Sequence, residues 1–153
     1  MALTYTPLNK DYSLNEDAVR REIDWVIQRG ATGIWPGGYA GQWPELDEEV
    51  RKRHLKVCLD HAKNRVFCAA GCHATNTLQT VRLANYAEEI GYDCAWISPT
   101  VPRKAIEEEI VEHHKWVLDH TSIPIALYDS SPAGSYMSPE LIAEAAKRTF
   151  DPD

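Results

Sequence analysis

Residues 66–98 read VFCAAGCHATNTLQTVRLANYAEEIGYDCAWIS. Val66 to Ala70 is an apolar run of strand length, with two β-branched or aromatic residues followed by small ones. After Gly71 the pattern changes to helical spacing, starting at Thr75 or Asn76, both good N-cap types, and ending near Gly91, the residue type that closes helices. A second apolar run, Cys94 to Ser98, follows. Strand, helix and strand in this order form a βαβ unit, whose two strands lie parallel and are joined by a right-handed crossover.

The unit extends in both directions at intervals of roughly thirty residues. Strand candidates lie at Leu3 to Thr6, Gly33 to Pro36 and Pro124 to Tyr128. Between them, Ser13 and Glu16 have capping-box spacing, Leu14 to Arg29 carries apolar residues at helical intervals, and Gly30 is placed to end that helix. A second helix begins near Asp47, with the charged face EEVRKRHLK and an apolar side of Val50, Leu55, Val57 and Cys58. A fourth spans about Ala105 to His120, and a fifth follows Ser138-Pro139-Glu140, with serine at the N-cap and proline at the first helical position.

Five such units suit two architectures: a complete doubly wound domain, or part of a (β/α)8 barrel, which in full needs roughly 250 residues. Length favours the smaller fold, but the loops after the first and third strands, in LTYTPL and CAAGC, lack the acidic residues or phosphate loop expected there. Both folds place function beyond the C-terminal ends of the strands. There the chain has NKDYS, GGYAGQWPEL, GCHATN, SPTVPRK and, after Asp129, SSPAGSYM.

Composition excludes several classes. The 153 residues, 44% hydrophobic and 25% charged, suit one globular domain with a sizeable core. Sixteen Lys+Arg against 23 Asp+Glu give a net charge of −7, and the basic residues are scattered, so nucleic acid is not an expected partner. No apolar run has the length of a membrane span, and MALTYTPLNK lacks a basic start and an apolar h-region, so a cytoplasmic location is expected. Cys58, Cys68, Cys72 and Cys94 read as small buried hydrophobes. The C-x3-C-H spacing of Cys68, Cys72 and His73 lies outside the common zinc patterns, and neither a metal nor another cofactor is expected. His113 and His114 point about 100° apart on their helix and read as part of a solvated face.

The loop after the second strand, in GIWPGGYAGQWPEL (33–46), is not a phosphate cradle: its glycines miss G-x-G-x-x-G, and no lysine follows Gly38. It reads either as a structural turn or as a loop whose glycines let backbone N–H groups approach a small anion such as a carboxylate.

The stretch GIWPGGYAGQWPELDEEVR (33–51) resembles G-x-x-x-x-G-T-T-G-E-x-x-x-L-(S/T)-x-E-E-R of the dihydrodipicolinate synthase and N-acetylneuraminate lyase family. TPLNKDYSLNEDAVRREIDWVIQRGATG, AAGCHATNTLQTVRLANYAEEIGYD and the segment 124–146, PIALYD followed by SSPAGSYMSPELIAEAA, match other family segments in order, so the resemblance covers essentially the whole chain. It implies a partial (β/α)8 TIM barrel over a single domain, residues 1–153, with five βα units in sequential parallel order and strands six to eight lacking. It also implies a class I aldolase or lyase, in which pyruvate or a related 2-oxo acid forms a Schiff base with a lysine.

By that resemblance Tyr128 is the proton-transferring catalytic tyrosine, and Gly38, Tyr39, Ala40 and Gly41 form the carboxylate-binding loop. Tyr39 and Ala40 stand where the family has two threonines, so backbone donors are retained and hydroxyls are lost or moved. The family's second relay tyrosine is absent from Pro99-Thr100-Val101-Pro102-Arg103-Lys104, and Ala133 stands about where a carboxylate-binding arginine is expected. The Schiff-base lysine is expected roughly ten residues beyond Asp153. The seven lysines present (Lys10, Lys52, Lys56, Lys63, Lys104, Lys115 and Lys147) read as loop or helix-surface positions. Lys104, in a loop at the active face, is the nearest substitute, but an exposed ammonium keeps its proton.

An unclosed barrel leaves unpaired edges and an uncovered apolar interior, so association through those edges or a homo-oligomer is expected, alongside a small 2-oxo acid as ligand. Two alternatives stay open: a non-catalytic half barrel that binds a small ligand or a protein, and an unrelated five-stranded doubly wound binding domain. Strand order separates the last from the others, being 2-1-3-4-5 in a flavodoxin-type sheet and sequential in a barrel.

Overall fold

A computed structural model describes residues 1–99, 105–129, 137–140 and 142–143. Five parallel strands, β1 (Ala2–Leu3), β2 (Gly33–Trp35), β3 (Phe67–Gly71), β4 (Cys94–Ile97) and β5 (Ile125–Leu127), form one sheet in the order β1-β2-β3-β4-β5. Among the described residues four α-helices alternate with them: α1 (Glu16–Gln28), α2 (Glu48–Ala62), α3 (Thr77–Ile90) and α4 (Glu107–Asp119); the fifth helix expected after Ser138 lies mostly outside the described residues. Each strand thus pairs with its sequence neighbour, and α1 packs on α2, α2 on α3 and α3 on α4. Right-handed crossovers between sequential strands put every helix on one face, which is how a (β/α)8 barrel winds. The sequential order excludes the doubly wound domain, whose strand order must reverse.

The strands alternate cleanly between two faces. Ile34, Cys68, Ala70, Ala95 and Ile97 point toward the helices and join Val19, Ile23, Leu55, Cys58, Leu83, Ala87 and Val117 in one core. Small residues on β3 let α2 and α3 approach the sheet closely. The opposite, concave face carries Leu3, Trp35, Phe67 and Trp96, and Met1, Leu3 and Phe67 remain about half exposed there. All four cysteines are free and buried, as their apolar settings predict.

Two sequence expectations need correction. Asn15, not Ser13, caps α1: its side chain accepts the Ala18 N–H at 3.0 Å, while the Ser13 hydroxyl donates to Asp11 at 2.7 Å within the preceding loop. Glu16 does not close a capping box, since it pairs with Arg20 on its own helix and with Arg53 on α2. His113 and His114 are buried, at 4% and 2% exposure, and do not form a solvated face. α4 is covered on that side by α3, and Thr77 supplies a hydroxyl 3.0 Å from His113 Nδ1, whereas His114 Nδ1 donates to the Ile110 carbonyl at 2.7 Å. Burial holds the His113 pKa down at about 3, with neighbouring His114 adding to the effect.

Candidate active site at the C-terminal ends of the strands

Beyond Trp35 the chain turns sharply. Gly37 adopts φ +81°, and a Cβ there would lie 2.7 Å from the Gly71 carbonyl oxygen. Gly71 in turn donates its N–H to the Pro36 carbonyl at 2.8 Å. Only two glycines allow these backbones to touch, and the contact fixes the loop after β2 to the end of β3. The loop continues as a 3-10 turn over Tyr39–Gly41, a left-handed Gln42 and a second 3-10 turn over Trp43–Glu45.

Within the first turn, Gly41 N–H donates to the Gly38 carbonyl at 3.0 Å. Among the described residues the Tyr39 and Ala40 N–H groups donate to no backbone or side-chain acceptor. The turn is tied from below: Thr6 Oγ1 donates to the Gly41 carbonyl at 2.8 Å and lies 3.3 Å from His54 Nδ1. Because the Thr6 proton goes to the carbonyl, its oxygen accepts from His54, which is therefore the neutral Nδ1–H tautomer. Burial agrees with neutrality, lowering the His54 pKa to about 4.

Alternation along the strands carries a set of rings to the same place. Trp35 ends β2, His73 lies two residues past β3, Trp96 is on β4, and Tyr128 follows β5. Trp35 and Trp96 have ring centroids 4.2 Å apart, and Tyr128 stands 4.9 Å from Trp35 and 5.8 Å from Trp96. His73 is fully buried, 5.6 Å from the Tyr128 ring and 6.1 Å from that of Tyr39, on which it stacks. Trp43 completes the enclosure, 6.2 Å from His73.

Arg51 reaches this cluster from α2. Its guanidinium donates to the His73 carbonyl at 2.6 Å and lies 5.1 Å from the Trp43 ring. Burial lowers its pKa to about 10, so it keeps its charge at neutral pH. Desolvation, reinforced by Arg51, lowers the His73 pKa to about 3, so the imidazole there is neutral. Burial also pushes the Tyr39 phenol up, and Tyr128 acts in the same direction.

The expected residues Gly38, Tyr39, Ala40, Gly41 and Tyr128 lie near one another at this end of the sheet. Tyr39, on the turn, and Tyr128, after β5, both approach His73. Gly38 packs under the Trp35 ring, where a Cβ would sit 3.4 Å from it, and Gly41 is held by Thr6. Lys104 and Ala133 fall outside the described residues. Cys68 and Cys72 face the helices while His73 faces the concave side, so the C-x3-C-H triplet does not converge.

From the sequence alone His73 figures only as part of a rejected metal spacing, and Arg51 only within a charged helix face and as the last residue of the matched family stretch, with no role at the site for either. Period-two alternation along Ala69, Gly71 and His73 carries the first signal. For Arg51 the signal is its place with Leu55, Cys58 and Ala62 on the buried stripe of an otherwise charged helix.

Parallel strands in sequential order, helices on one face and polar loops gathered at the strands' C-terminal ends define the class of (β/α)8-barrel proteins. The chain belongs to the dihydrodipicolinate synthetase family, whose model matches residues 1–149. It is 32% identical over 124 residues to 4-hydroxy-tetrahydrodipicolinate synthase of Brucella suis, covering 81% of this chain and 42% of the relative. With the Mesorhizobium japonicum enzyme of the same name it is 32% identical over 142 residues, 92% of this chain and 48% of the relative.

Among solved structures, a putative dihydrodipicolinate synthetase from Pseudomonas aeruginosa superposes with a TM-score of 0.91 at 28% identity, covering 97% of this chain and 51% of that one. A prophage protein of the family from E. coli K12, in complex with pyruvate, gives a TM-score of 0.90 at 25% identity, covering 95% and 49%. The chain therefore spans about half the length of the relatives it matches.

Proposed function

We propose that this chain is the N-terminal half of a Schiff-base aldolase or lyase acting on pyruvate or a 2-oxo acid that yields it. The observation that carries the reading is the approach of the Tyr39–Gly41 turn and Tyr128 to the same residue, His73, at 6.1 and 5.6 Å between rings. The free Tyr39 and Ala40 N–H groups suit a carboxylate, and the half-buried Tyr128 phenol suits proton transfer at the carbon being formed or broken.

The nucleophile in this reading is a lysine on a sixth strand following residue 153. A desolvated amine beside the aromatic cluster loses its proton near neutral pH and attacks the 2-oxo carbon. The C-terminal half of the barrel covers the half-exposed Met1, Leu3 and Phe67 and pairs the outer edges of β1 and β5, and the assembled enzyme is a cytoplasmic oligomer.

Borohydride reduction in the presence of pyruvate tests this directly in the protein expressed from its gene. Peptide mass spectrometry is expected to find one lysine carrying the reduced pyruvyl adduct. No adduct, with intact folding, would favour the non-catalytic half barrel, which the exposed concave face suits as a binding surface.

A further inference from the structure

The site contains more unmet hydrogen-bonding capacity than a carboxylate loop requires. Among the described residues Trp35 Nε1, Tyr39 Oη, Trp43 Nε1, Arg51 Nε and both ring nitrogens of His73 are buried without a partner. These atoms belong to one cluster, linked by ring contacts and by the Arg51 stack on Trp43. Buried polar atoms left unpaired each cost about 1–3 kcal/mol, and native interiors pair nearly all of them. Such a concentration at the mouth of a barrel marks a place where a ligand supplies the partners.

His73 is the group best suited to meet that ligand. It is wholly buried, and its neighbours Trp35, Tyr39, Trp43 and Tyr128 are all rings. Its backbone carbonyl is clamped by Arg51, so the residue is held at the base of the turn while its side chain stays unpaired. A neutral imidazole offers one N–H donor and one lone pair, the complement of an acid bearing a carbonyl, a carboxylate and hydroxyl groups. The turn itself has lost hydroxyl donors, since Ala40 carries none and the Tyr39 Oη is displaced to the far end of a ring.

We propose that His73 contacts the bound 2-oxo acid directly, one ring nitrogen donating to an oxygen of the acid and the other accepting from a hydroxyl or water on it. Tyr39 moves aside to admit the ligand: of the two half-buried rings, Tyr39 and Tyr128, it is the one carried on the turn, so its displacement disturbs no strand. The inference rests on the 2-oxo acid reading of the same site and adds to it the residue that replaces the turn's hydroxyls.

Nitrogen-15 NMR of histidine-labelled protein, titrated with pyruvate, separates the two. Expected is a shift of the His73 ring nitrogens in step with the Tyr39 and Ala40 amides, while the rings of His54, His113 and His114 stay in place. Movement of the amides with a static His73 ring would overturn the inference and leave the carboxylate loop standing. Stillness of both would defeat the loop reading and the inference together.

As a second arm, His73→Phe is expected to weaken pyruvate binding about tenfold, the worth of one neutral hydrogen bond, and His73→Asn, which keeps a donor and an acceptor, by no more than about threefold. The unchanged ring signals of the other three histidines report that each variant is folded. Equal pyruvate affinity in wild type and His73→Phe would refute the contact.

Discussion

Thr6→Val removes one hydroxyl from beneath the turn and tests how that turn is held. In the native chain Thr6 Oγ1 donates to the Gly41 carbonyl at 2.8 Å and lies 3.3 Å from His54 Nδ1, with Thr6 at 7% and His54 at 1% exposure. Valine keeps the volume and the β-branch, so packing changes little. What is lost is two hydrogen bonds, and what is left behind is a stranded Gly41 carbonyl and a His54 ring N–H without its hydroxyl acceptor, each costing about 1 kcal/mol or more. The expected loss is about 2–4 kcal/mol, large for a single isosteric change. Thr6→Ser keeps the hydroxyl and drops one methyl, for about 1 kcal/mol. Urea unfolding of the three proteins measures the difference, and amide exchange at Gly41 and Gln42 is expected to quicken in the valine variant alone. If Thr6→Ser destabilised as much as Thr6→Val, packing and not the hydroxyl would be what holds the turn.

Three further outcomes are expected. The four buried histidines bind protons only after unfolding, because burial sets the folded pKa at about 4 for His54 and about 3 for His73 and His113, and lowers that of His114. Their contribution is complete above about pH 6.5 and declines as pH falls toward the folded values, at up to about 1.4 kcal/mol per pH unit for each. Urea midpoints at pH 7.5, 6.0 and 5.0, ahead of most carboxylate titration, should fall steeply; equal midpoints would contradict the burial described. Gly71→Ala drives a Cβ into the backbone of Gly37 and should cost about 1–3 kcal/mol by denaturant unfolding, whereas Gly30→Ala, where no atom lies within 4 Å, meets only the strain of φ +88°. In the protein expressed from its gene, Tyr128→Phe should lower turnover of a 2-oxo acid about a hundredfold or more while barely moving the urea midpoint; unchanged turnover would remove Tyr128 from the proton transfer.

Much of this molecule is legible from its residues one at a time. The five strands start and stop within a few residues of the apolar runs, because a run of strand length between helical stretches has only one way to bury itself. Asn76 and Gly91 bound α3 as expected, since caps are local: Asn76 Oδ1 accepts the Gln79 N–H at 2.9 Å, and Gly91 takes φ +98°. The loop after β2 was readable too, as its glycines are the price of a backbone contact between Gly37 and Gly71. Ser13 misled because it and Asn15 are both capable caps, and the choice was made by Asp11, which takes the serine hydroxyl.

The alternation of strand and helix, the pattern of small and apolar residues and the family resemblance were therefore present in the chain itself, because each depends on near neighbours. Tertiary structure decided what depends on distant ones. Strand order and the single helical layer follow from which edges meet, and they separated the barrel from the doubly wound sheet. His113 and His114 became core residues because α3 lies over them, and Arg51 became a clamp because α2 turns that side of its charged surface toward the end of β3. His73, which the string GCHATN offers only as part of a C-x3-C-H spacing, acquired its contacts with Tyr39 and Tyr128 only when strands from separate parts of the chain came together.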